Sequence, residues 1–181
     1  MKFIRIFSAL AGLLLVLSSP VSMAQRTAGE TLDDSTIQAS VKAALAESDA
    51  VKASEINLET YKGEVQLAGF VATEAEKAAA GTIAAGVEGV TKVDNSLVVS
   101  APDRSMGQTL DDQTAETKIK AALLGDEVVA GLEVNVEVRR GVALLSGFTE
   151  TAAQKARAGE LAGQVEGVTD VRNAVIVKPK G

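Results

Sequence analysis

Residues 87–95 read VEGVTKVDN, and residues 165–173 read VEGVTDVRN. The two nonapeptides lie 78 positions apart, and the same offset superposes far more than these nine residues. Thr31-Leu32-Asp33-Asp34 falls on Thr109-Leu110-Asp111-Asp112, and Lys42-Ala43-Ala44-Leu45 on Lys120-Ala121-Ala122-Leu123. Gly63, Gly69-Phe70 and Gly81 fall on Gly141, Gly147-Phe148 and Gly159. Aligned without a gap, 31–99 and 109–177 share 32 identical residues in 69 pairs. The chain therefore holds two copies of one unit, too few for a solenoid. Residues 100–108, SAPDRSMGQ, contain Pro, Gly and Ser with no apolar period and read as a linker.

Each copy carries the same order of signals. Asp33-Asp34 precedes Ile37, Val41 and Leu45, an N-cap followed by one apolar helical stripe. Asp111-Asp112 precedes Ala115, Ile119 and Leu123 in the same way. Alternation follows: Ile56 and Leu58 point inward, Lys62-Gly63 turns the chain, and Val65 and Leu67 resume the inward face. Copy two repeats this with Val134, Val136 and Val138, a turn at Arg140-Gly141, then Leu144 or Leu145. Capping boxes at Thr73-x-x-Glu76 and Thr151-x-x-Gln154 open Ala-rich helices running to about Val87 and Val165. Strands over 93–99 and 171–177 close each unit. The expected fold is α+β: two tandem α-β-β-α-β domains, each a three-stranded mixed sheet packed by two helices. In this reading the nonapeptide is architectural. Gly89 and Gly167 stop the second helix, and Asn95 makes a turn-side hydrogen bond where the last strand begins.

The N-terminal segment is set apart. Lys2 and Arg5 precede an apolar run over 6–17, then Pro20 and Ser22-Met23-Ala24. That order predicts a secretory signal peptide over 1–24. The chain contains no Cys, so disulfides, thiolate metal sites and a lipidated cysteine are not expected. It contains no His either, the commonest general acid/base and metal ligand. The paired carboxylates read as helix caps and not as an acid/base pair or cation site. No enzyme, cofactor, metal or small-molecule substrate is expected. With 24 acidic residues against 18 basic, a formal charge of −6, nucleic acid is not an expected partner.

The elements Val65-Gln66-Leu67-Ala68-Gly69-Phe70 and 87–95 reappear as Ala143-Leu144-Leu145-Ser146-Gly147-Phe148 and 165–173. This doubled set behind a signal peptide resembles the BON domain family. Copy two departs at Ala143, where copy one has Val65. The resemblance covers nearly all of the chain after the leader. It implies a non-enzymatic periplasmic protein of envelope or osmotic stress, soluble and not lipid-anchored. It also implies partners that are phospholipid surfaces or, alternatively, unfolded or outer-membrane client polypeptides. The family's matched glycines are Gly63, Gly69, Gly89, Gly141, Gly147 and Gly167. From the residues themselves, Arg139-Arg140 at the second hairpin tip, with Lys155 and Arg157 on the following helix, are the expected contacts to anionic head groups. Phe70 and Phe148 are expected in the core.

Overall fold

The computed structural model describes residues 33–101, 105–129 and 134–178. The expected leader, 1–24, lies outside them. The first copy runs α1 (Asp34–Ala46), β1 (Ile56–Tyr61), β2 (Glu64–Val71), α2 (Glu74–Ala85) and β3 (Lys92–Val99). The second runs α3 (Met106–Gly125), β4 (Val134–Arg139), β5 (Val142–Thr149), α4 (Ala152–Gly163), β6 (Asp170–Asn173) and β7 (Ile176–Val177). In each sheet the central strand pairs antiparallel with its hairpin partner and parallel with the strand that follows the second helix. Among the described residues no helix is long and apolar enough to cross a membrane.

Period-two alternation divides each central strand between two faces. Val65, Leu67 and Val71 of β2 pack with Ile37, Val41 and Leu45 of α1 and with Ala80 and Ala84 of α2. Ala143 and Leu145 of β5 do the same with Ala115, Ile119, Leu123, Ala158 and Ala162. Leu145 is thus the inward residue, and Leu144 faces the other way. The bare Ala faces of α2 and α4 let helix and sheet approach closely. Gly81 is part of that approach, because a Cβ there would lie 2.7 Å from the Asn95 amide nitrogen.

Asn95 does not serve a turn. It sits within β3 and donates to the Lys77 carbonyl of α2 at 2.7 Å, as Asn173 donates to Lys155 of α4. The Asn and the Gly of each repeat are therefore two halves of one helix–strand clasp. The helices also stop earlier than expected, at Ala85 and Gly163. Gly89 and Gly167 lie in the tight turns that follow, closed by Val90 N–H to the Val87 carbonyl and Val168 N–H to the Val165 carbonyl.

The paired aspartates divide their work differently from the expectation. Asp33 caps α1 by accepting from the Ser35 and Thr36 N–H groups. Asp34 instead accepts from the Lys62 and Gly63 N–H groups at 2.7 and 2.8 Å. Both turn residues have positive φ, 51° and 77°, so their amides point together at one acceptor. Asp112 holds Arg140 and Gly141 in the same way, at 2.9 and 3.0 Å. In copy two the capping expectation fails outright. α3 begins at Met106, with Ser105 as N-cap and a full Ser105/Gln108 capping box, so Asp111 and Asp112 lie inside the helix and the linker's last residues are helical.

The other face of each sheet is largely covered by the other domain. Ala68 and Phe70 pack against Leu144, with Val98, Val142 and Ala174 around them. The two sheets stack face to face with their helices outside. Asn57 donates to Glu137 and Asn135 donates to Glu59, at 3.3 and 2.7 Å. These bonds are images of each other under the 78-residue shift, so a pseudo-twofold relates the domains, and β1 crosses β4 antiparallel. Tyr61 on Phe148 (centroids 5.5 Å apart) and Arg139 on Phe70 (5.1 Å) are a second such pair of images. Both Phe residues therefore belong to the junction of the domains and not to the helix-side cores.

One contact breaks the symmetry. The Gln66 side chain, 1% exposed, donates to the Ala174 carbonyl at 2.6 Å and accepts from the Gly147 N–H at 2.7 Å. In copy one the parallel ladder is continuous through Gly69↔Leu97. In copy two it breaks between Asn173 and Ile176, which is why the last strand is split into β6 and β7. The amide of domain one is inserted as a rung in the sheet of domain two.

Two sets of substitutions check these assignments. Gln66→Ala is expected to cost about 1–3 kcal/mol, because the buried groups lose their partner, and to raise hydrogen exchange at the Gly147 amide; unchanged exchange there would show that the rung is unimportant. In urea melts Asp112→Ala is expected to cost about 1–3 kcal/mol through two orphaned amides, whereas Asp111→Ala stays within about 0.5 kcal/mol. The reverse order would restore the capping reading.

Candidate functional site

The turn chemistry just described decides where the expected head-group residues stand. Arg139 ends β4 and is drawn into the junction with domain one, 8% exposed. Its guanidinium donates to the Glu55 carboxylate at 3.3 and 3.4 Å, lies 3.8 Å from Glu137 and covers the Phe70 ring. It is an interdomain cation and not a surface base: β4 alternation turns it toward the face that domain one covers. Arg140 is exposed at the hairpin tip, one residue on.

Lys155 and Arg157 are half-buried on α4, in the helix layer on the opposite side of the sheet. Arg157 is bound by Asp126 at 2.8 Å and by Glu160 at 3.2 Å. That pairing, the hydrogen bond from Arg157 first, holds the Asp126 carboxyl below its usual range. The four bases are thus dispersed. Only Arg140 stands at an exposed tip. The six family-motif glycines, in contrast, all have positive φ. At Gly69 a Cβ would also lie 2.1 Å from the Glu55 carbonyl, so no side chain fits.

Arg140 lines a polar cleft of about 530 Å³ with Gln108, Asp111, Lys118, Glu166 and Thr169. Opposite charges meet there, Lys118 and Glu166 at 3.6 Å. The cleft is flanked by the first turns of α3. On those turns Met106 is 85% exposed and Leu110 62% exposed, four residues and about one turn apart. The linker reading missed this pair, although Ser105-x-x-Gln108 is a capping box that announces a helix start there. Leu124, in the last turn of α3, and Val128, just beyond it, are exposed. No group of three or more acidic residues is placed to hold a metal ion among the described residues.

A second opening lies between the free edges of the stacked sheets. β3 and β6 border a groove of about 390 Å³ lined by 96–99, Leu144, Arg172 and Ala174.

The sequence matches the BON domain over residues 33–101 and again over 111–179. It is 39% identical over 159 residues to osmotically-inducible protein Y of Escherichia coli, covering 87% of this chain and 79% of that one. It is 33% identical over 155 residues to the outer membrane lipoprotein DolP of Haemophilus influenzae, covering 85% and 79%. It is also 33% identical over 147 residues to a 21 kDa hemolysin of Actinobacillus pleuropneumoniae, covering 81% and 75%. With two matched domains that account for both repeats, both hairpin turns and all six positive-φ glycines, the chain belongs to the BON domain family.

Proposed function

We propose that this is a non-enzymatic protein of the bacterial envelope, exported to the periplasm, that attaches reversibly to anionic phospholipid surfaces through its second domain. The observation that carries the reading is the exposed pair Met106 and Leu110 on the first turns of α3, beside the cleft that Arg140 and Lys118 line. Moving such a side chain from water to an apolar medium is worth about 1.5–3 kcal/mol. A base near an anionic surface adds about 1 kcal/mol. Together they support weak, peripheral attachment, working against a formal charge of −6. Relatives named for osmotic induction and for the outer membrane support an envelope setting.

A second reading has its own observation. The unpaired edges of β3 and β6 flank a groove with Val98, Val99 and Leu144 in it, and an extended client polypeptide can add to such an edge as an extra strand.

Vesicle flotation of residues 25–181 separates the two. Binding is expected to anionic vesicles at low salt, with release as salt rises. Arg140→Glu and Met106→Ser/Leu110→Ser are each expected to weaken it by about tenfold or more. Arg139→Glu is the wrong probe, since it would place like charges beside Glu55 inside the domain junction. No flotation at any salt would sink the lipid reading and favour polypeptide clients.

A further inference from the structure

The pseudo-twofold puts equivalent residues at the two ends of the stacked sheets, and those ends have diverged. At one end Arg139 lies under Phe70, neutralised by Glu55 and Glu137. At the other, Tyr61 stands in the position of Arg139 and Phe148 in that of Phe70. The rings lie 5.5 Å apart and both are half-buried. The positive charge at this end has moved outward. Lys62, from the hairpin tip of domain one, sits 5.6 Å from the Tyr61 ring centroid. Lys178, from the end of domain two, sits 5.2 Å from the same centroid and replaces Ser100 of the first copy.

Neither ammonium group has a carboxylate partner among the described residues. Lys92, Lys118, Lys120, Arg157 and Arg172 are each ion-paired, and Lys42, Lys77 and Lys155 share the lack of one among the described residues; what sets Lys62 and Lys178 apart is their meeting on one ring. The acids nearest on the hairpin are already engaged: Asp34 by the turn amides, and Glu64 by Lys92 at 2.5 Å. An acidic chain has here brought two uncompensated cations from different domains to one ring. Tyrosine with flanking lysines is the chemistry of a bilayer surface, where the ring takes the interfacial depth and the ammonium groups meet phosphate.

We propose that Tyr61, Phe148, Lys62 and Lys178 form a composite binding site for the phosphodiester of anionic phospholipid head groups, built only when the two domains are stacked. The site rests on the lipid-surface reading but not on α3. Because β1 and β4 are antiparallel, it lies at the opposite end of the sheets from Arg140.

Tyr61 is the one tyrosine and the chain has no tryptophan, so tyrosine emission reports this site alone. Vesicles of phosphatidylglycerol are expected to change the emission of the 25–181 chain saturably. Phosphatidylcholine vesicles and inorganic phosphate are expected to leave it unchanged. Lys62→Gln/Lys178→Gln is expected to weaken the response by about thirtyfold, with an unchanged melting temperature. Lys62→Arg/Lys178→Arg, which keeps both charges, keeps it. Flotation without an emission change overturns this site and leaves the second-domain reading standing. Emission that answers equally to inorganic phosphate overturns the lipid assignment in favour of a free-anion site. No flotation and no emission change overturns both.

Discussion

The amide of Gln66 satisfies the Gly147 N–H and the Ala174 carbonyl at once, and the arrangement of the two domains depends on this contact. A buried sheet amide must be paired. Here a strand of domain two has its pairing completed by a side chain of domain one. Separating the domains would break both of these bonds and expose Phe70 and Leu144 to water. The two repeats are therefore one stacked unit, and each sheet has a helix-covered face and a partner-covered face.

The junction also explains how a small, aromatic-poor unit is held together. Three strands and two helices bury few large side chains, and such domains alone are marginal. Stacking buries the second face of each sheet and puts Phe70, Phe148 and Tyr61 to use there. It carries charge as well, since Glu55, Glu137 and Arg139 meet inside it. Breaking one partner of such a set costs more than the set contributes, because a charge is left desolvated.

Duplication followed by divergence gives the molecule two unlike ends. The Asp34 and Asp112 clamps keep both hairpin turns in one geometry, so side chains at equivalent positions are presented alike while their chemistry differs. Arg139 has become internal and Tyr61 semi-exposed. The first turns of α3 carry the exposed Met106 and Leu110. The proposed site at Tyr61 and Lys178 follows from these departures from symmetry and not from the shared motif.

The repeat, the α-β-β-α-β order, the hairpin turns and the inward stripes were legible in the sequence, because each is a local pattern: a period of 3.6 or 2, a turn glycine, a capping box. The turn glycines Gly63 and Gly141 and the helix-stop glycines Gly89 and Gly167 were legible for the same reason, whereas Gly69 and Gly147 came only with the family resemblance. Local pattern could not say what the outward-facing residues of β2 and β5 meet. Gln66 alternates like any solvated strand residue, and Arg139 beside a turn looks like any surface base. Only the stacking of one sheet on the other buries them, and it does so through contacts between residues about eighty positions apart. The second Asp of each pair was misread likewise. Its place before a helix is local, but its partners are turn amides 28 and 29 residues away. The sequence determined each domain because helix and hairpin signals act over a few residues. The tertiary structure decided which charges remain at the surface, because that depends on which faces of the sheets are buried against each other.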